Sequence, residues 1–114
     1  ISVKKHDELM AVISDIPHIM SFALMNTATN QLGDSTTFGQ YVAGGFKDMT
    51  RIAESDPKLW TDVLLSNKEA ILTSQSLIIE QLQLFSQAIE DNDASTLMTL
   101  ISSAQESRKN LLLK

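Results

Sequence analysis

Residues 9 to 25 are mostly apolar, and Leu9, Ile13, Ile16, Met20 and Ala23 recur at spacings of three and four. That is the period of a buried helix. The pattern predicts a helix from near Asp7 to Leu32, stopped by Gly33 in a left-handed conformation. Pro17 lies inside it, deprives the Ile13 carbonyl of a donor and predicts a kink. At roughly 100° per residue the apolar positions cover well over half the circumference. A helix apolar on most sides needs partners on most sides. A second copy of the chain is the natural supplier, so the pattern predicts a homodimer with residues 7 to 32 central to its interface.

A polar loop, Asp34-Ser35-Thr36-Thr37, then leads into a short helical run from Phe38 to Ala43. Gly44-Gly45 interrupts it, and a second short helix is expected from Phe46 to about Glu54. Asp56-Pro57 reads as an N-cap followed by a proline in the first helical position, opening a helix with Leu59, Trp60, Val63 and Leu64. Ser66-Asn67-Lys68-Glu69 has the capping-box form, Ser66 as N-cap and Glu69 three residues on. A long helix to about Asp91 follows, with Ala70, Ile71, Leu77, Ile78, Leu84, Phe85, Ala88 and Ile89 as its stripe. Asp91-Asn92-Asp93 breaks it, and a last helix carries Leu97, Leu100, Ile101, Ala104 and Leu111. No repeat, low-complexity tract or internal boundary is visible. The fold class expected is all-α: one compact bundle of five to six helices over residues 1–114, with a long kinked first helix.

Composition narrows the function more than the fold. The chain has 114 residues, 43% hydrophobic and 20% charged, which suits one globular domain. A net charge of −5 without a Lys/Arg stripe argues against nucleic acid. No cysteine is present, so thiolate metal sites and disulfides are excluded. Two histidines without suitably spaced carboxylates give no expectation of a metal site. No uninterrupted apolar run approaches about 20 residues, so no membrane span is expected, and the chain reads as cytoplasmic. It opens on Ile1 without a signal-peptide pattern, as a piece of a longer protein would.

The polar exceptions within the first helix are grouped. Ser14, His18 and Ser21 fall at i, i+4 and i+7, and with Asp7 and Asp15 they occupy one sector of roughly 120°. Such a sector faces a cleft or a ligand, or else His18 is a core histidine bonded to a carbonyl released by Pro17; the residues leave both open. A second group is Gly44-Gly45-Phe46-Lys47-Asp48-Met49-Thr50-Arg51. Lys47 and Arg51 share a helical face with Asp48 between them. Two cations around one carboxylate suit an anion, arginine above all a carboxylate, and glycine lets a ligand approach the backbone. The alternative is a solvated helix face with an ordinary ion pair. Trp60 is core or a pocket wall. No complete catalytic constellation, phosphate loop or dinucleotide fingerprint occurs.

The string His6-Asp7-Glu8-Leu9-Met10-Ala11-Val12-Ile13-Ser14-Asp15-Ile16-Pro17-His18 resembles the start of the helical C-terminal domain of prephenate dehydrogenases. Gly44-Gly45-Phe46-Lys47-Asp48-Met49-Thr50-Arg51-Ile52-Ala53 and Asp56-Pro57-Lys58-Leu59-Trp60 are similar to the same family, as is the spacing between the blocks. The resemblance implies a two-domain enzyme whose dinucleotide-binding domain precedes these residues. Its reaction would be NAD-dependent oxidative decarboxylation of prephenate to 4-hydroxyphenylpyruvate in tyrosine biosynthesis, with NADP as the alternative cofactor. The catalytic histidine would lie in that other domain, so these residues would hold no catalytic group and show no activity alone. By position, Arg51 would grip a substrate carboxylate. His18 would contact the substrate or an inhibitory tyrosine, and Gly44 would bring backbone close to the ligand. Lys47 and Asp48 would form an ionic network at the cleft mouth, with Asp15, Ser14 and Trp60 as pocket wall or specificity residues. One departure stands out: many members have His-Leu-Pro-His where this chain has Asp15-Ile16-Pro17-His18. An acidic residue there would favour a charged His18 and an amine-bearing substrate such as arogenate.

Overall fold

A computed structural model describes residues 1–113. Helix begins at the extreme N-terminus because Ser2 accepts the Lys5 backbone N–H on its hydroxyl at 3.1 Å, opening α1 (Val3–Met10). This is earlier than the predicted Asp7, since the cap precedes the first periodic apolar residue. α1 passes without a break through a π turn (Ala11–Asp15) into α2 (Ile16–Leu32). Pro17 stands in the first turn of α2. It has no N–H to offer, and the misfit is taken up by the wider turn ahead of it, where the Ile16 N–H reaches back to the Ala11 carbonyl. Gly33 ends α2 with φ 89°, a value that favours glycine.

Asp34 then accepts the Thr36 N–H at 2.8 Å and caps α3 (Ser35–Phe38). The expected loop is therefore helical from Ser35, and the run expected to Ala43 ends in a 3-10 turn (Gly39–Tyr41). The glycine pair does not interrupt a helix either. Both glycines lie inside the first turn of α4 (Gly44–Thr50), neither with a positive φ, and a second 3-10 turn (Arg51–Glu54) follows. α5 (Pro57–Ser66) starts as its sequence predicts, with Asp56 accepting the Leu59 N–H at 2.8 Å. Ser66 does not cap the next helix: its hydroxyl donates to the Val63 carbonyl at 2.7 Å, finishing α5, and Asn67 is the C-cap. α6 (Lys68–Glu90) follows, then a turn in which Asn92 has φ 52°, then α7 (Ala94–Lys109), capped by Asp93. Leu111 falls beyond that last helix.

These helices fall into two compact units, residues 1–75 and Ser76 onward, with the boundary inside α6. The sequence gives no hint of it, because a 23-residue helix, about 35 Å long, carries one apolar stripe throughout. In the first unit α2 packs on α3, α4 and the 3-10 turn Arg51–Glu54. The buried face of the first helical run is made of Ala11, Asp15, Ile16, Ser21 and Ala28. Of the predicted stripe only Ile16 is buried; Leu9 is 39% and Ile13 65% exposed. The π turn rotates the residues before it out of phase with those after it. In the second unit Ala88 is buried and Phe85, Leu97 and Leu100 are half-buried, whereas Leu77, Ile89 and Ile101 are exposed.

The unbroken run Val3–Leu32 holds 30 residues and is long and apolar enough, by length and composition alone, to cross a membrane. The expectation from run length misses this because Asp15 and His18 divide the apolar stretch.

Candidate functional site

His18 sits one turn beyond the π turn, half-buried, and its Nδ1 lies 2.8 Å from the Ser14 carbonyl oxygen. A carbonyl only accepts, so Nδ1 carries the hydrogen and Nε2 is the nitrogen left for a ligand. The acceptor is the carbonyl of Ser14 and not that of Ile13. One of the two readings left open by the sequence, a histidine bonded to nearby backbone, thus holds for one ring nitrogen only. The ring stacks on Trp60 of α5 with centroids 3.5 Å apart and planes at 17°, and Phe22 lies tilted at 6.2 Å. Pro57 and the Asp56 cap fix where α5 begins, and with it the register of Trp60.

Trp60 also lines an open cleft of about 500 Å³, together with Phe22, Met25, Ala53, Asn26 and Ser55. The walls are chiefly apolar. Arg51 opens the 3-10 turn whose Ala53 belongs to this wall, so the cation and the His18–Trp60 stack are carried by segments bordering one cleft. Arg51, Lys47 and Asp48 are exposed, and among the described residues none of them forms an ion pair. The i, i+3 pair between Asp48 and Arg51 that the sequence allows is not made.

Gly44, Gly45, Lys47 and Asp48 do not line the cleft. A Cβ added at either glycine would meet nothing within 4 Å, so nothing in this chain's own packing requires glycine there. Phe46, between the pair and Lys47, packs edge-on to Phe38 at 6.2 Å and anchors α4.

The polar sector is not a single solvated strip. Ser14 and His18 are half-buried, whereas Asp15 is 4% and Ser21 0% exposed. The Ser21 hydroxyl is the one buried side-chain polar atom without a partner among the described residues. Asp15 does not turn to His18. Its carboxylate accepts from the Asn67 side-chain amide at 3.4 Å, and the same amide nitrogen donates to the Asp7 carbonyl at 2.9 Å. Asn67, Phe22 and Met25 are the residues that sequence reasoning missed. An asparagine at a helix end was the available signal for the first; the other two are indistinguishable from core until α5 is in place.

Comparison with known proteins adds a family. The family model described as "Prephenate dehydrogenase, dimerization domain" matches residues 2–103. Prephenate dehydrogenase of Bacillus subtilis (strain 168) is 34% identical over 113 residues, covering 99% of this chain and 30% of that protein. Cyclohexadienyl dehydrogenase of Zymomonas mobilis is 32% identical over 108 residues, covering 94% of this chain and 37% of that protein. The crystal structure of prephenate dehydrogenase from A. aeolicus, in complex with hydroxyphenyl propionate and NAD+, superposes with a TM-score of 0.87 at 31% identity, covering 96% of this chain and 38% of that one. The chain therefore spans about a third of the length of these relatives.

Proposed function

The chain belongs to the prephenate dehydrogenase dimerisation-domain family, and from that premise we propose that it is the dimerising, substrate-holding part of an enzyme that oxidatively decarboxylates prephenate to 4-hydroxyphenylpyruvate. NAD, or NADP as the alternative, would be held mainly by a separate dinucleotide-binding domain. The four glycines here, at 33, 39, 44 and 45, compose no dinucleotide fingerprint. The protein is assigned to the cytoplasm, where such biosynthesis takes place.

The observation that carries this reading is the His18–Trp60 stack, with one ring nitrogen of His18 committed to backbone and no hydrogen-bond partner for the other among the described residues. Prephenate is a dianion, and an arginine with no carboxylate partner among the described residues suits one of its carboxylates. Arg51 grips that group, and Nε2 of His18 contacts the substrate or an inhibitory tyrosine. Gly44 offers backbone without a side chain in the way, and Lys47 and Asp48, which do not line the cleft, would form an ionic network at its mouth only with groups outside this chain. Ser14 serves through its carbonyl. Asp15 is buried and bonded to Asn67, which makes it less accessible to a substrate amine and favours prephenate over arogenate.

A purely structural dimerisation module is the second reading, and the exposed aliphatics Val12 (55%) and Ile13 (65%) favour it. These residues belong, in our reading, to the interface with a second copy through the first helix. Kinetics of Arg51→Ala in the full-length enzyme separate the two. Losing a charge-assisted pair raises KM for prephenate about 10- to 100-fold, with KM for NAD nearly unchanged. An unaltered prephenate KM removes Arg51 from the site and leaves the structural module.

A further inference from the structure

We infer that Asn67 is a positioning residue: its side-chain amide staples the π turn of the first helix and thereby sets where His18 meets Trp60. The inference rests on the substrate-holding role of His18 for its kinetic arm and on geometry for the rest. An amide nitrogen carries two hydrogens, and each has an acceptor here. One is the Asp7 carbonyl at 2.9 Å, ahead of the π turn; the other is the Asp15 carboxylate at 3.4 Å, on the turn's last residue. The two bonds thus bracket the segment Ala11–Asp15.

That segment decides the rotational phase of everything after it. A π turn holds one residue more than the α pitch uses, so converting it to α geometry turns the following helix by about 100°. His18 lies on the far side and is bonded to the carbonyl of Ser14, a member of the turn. Its stacking partner Trp60 belongs to α5, the helix that Asn67 terminates. One side chain at the end of α5 therefore grips both flanks of the turn that aims His18 at α5. Asp15 is buried to 4% exposure, and a buried carboxylate needs a donor. The buried Asp15 carboxylate is matched by an amide on the opposing element.

The test uses the full-length enzyme, with the His18 ring-proton signals assigned by their loss in His18→Gln. Stacking on an indole displaces those signals upfield. Asn67→Ala is expected to abolish the displacement and to raise KM for prephenate about tenfold, a misplacement near 1 Å costing up to roughly a hundredfold, with KM for NAD unchanged. Should Asn67→Ala fail to fold, Asn67→Leu combined with Asp15→Leu removes both side chains of the Asn67–Asp15 bond, leaves neither unpaired, and restores stability. The same two changes are expected of it. Native His18 signals in the folded double variant overturn the inference whatever KM does. Loss of the upfield displacement with a native prephenate KM upholds the staple and instead refutes the substrate contact of His18.

Discussion

Trp60 is where several roles converge: it covers His18, walls the cleft and belongs to the helix that Asn67 ends. An aromatic pair of this kind contributes about 0.5–1.5 kcal/mol beyond burial. Trp60→Ala is therefore expected to destabilise the protein by about 1–3 kcal/mol in urea unfolding and to raise the prephenate KM. Trp60→Phe, which keeps a ring face, is expected to lose much less of both. Equal losses in the two variants would show that the stack is not what matters. His18 was legible as a candidate because its neighbours in sequence made a polar sector within an apolar helix. Its partner was not, since a stack between two helices depends on where a third segment, the Asp56-Pro57 start, sets the register. Asn67 was hidden in plain view as the spacer of a capping box that Ser66 does not form.

Caps decide the elements. Asp93 accepts the Thr96 backbone N–H at 3.0 Å and the Thr96 hydroxyl as well, and these bonds hold its carboxyl below the ordinary aspartate value of 3.8, the hydroxyl bond contributing most. Asp34 is lowered in the same way by Thr36, the backbone bond first. A carboxyl lowered on folding stabilises the native state above its unfolded pKa, and that contribution fades as pH falls through the folded value. Both caps are thus intact at neutral pH and weaken only below about pH 4. Asp93→Asn is expected to flatten the fall of Tm between pH 4 and pH 2 relative to the native protein; an identical acid limb would mean the α7 cap plays no part. The sequence showed Asp56 plainly, because proline follows it. It hid the role of Asp34, whose three following residues read as loop by composition while forming a capped turn. The glycine pair misled in the opposite sense: glycine permits a break but does not impose one, and α4 runs through both.

At the scale of the molecule, the first unit buries Ile16 and Ile71 among mostly small side chains and leaves many large apolar ones outside. Ala11, Ser21 and Ala28 face inward, and Ile13 is 65% exposed. The apolar excess of the first helix was legible from its circumference; which side of it the chain itself would use was not, because the π turn splits the stripe. On the proposed first-helix interface, Ile13→Asp is expected to give monomer in sedimentation equilibrium at micromolar concentration, with helicity retained. A surviving dimer that dissociates instead on Ile101→Asp would move the interface from the first helix to the second unit. The division within α6 has no signature in an unbroken stripe and emerges only from packing.

The π turn also bears on how the gene tolerates change. In-frame loss of a codon is ordinarily survivable in loops and ruinous in helices. Between Ala11 and Asp15 the helix carries a surplus residue, so a deletion there would heal the backbone into regular helix without a chain break. Because the residue removed is the surplus one, the helix after the turn would keep its phase and His18 would still meet Trp60. Such a deletion is expected to yield a stable protein of near-normal abundance in which the His18 ring-proton signals keep their upfield position, whereas an added residue there would shift them away from it.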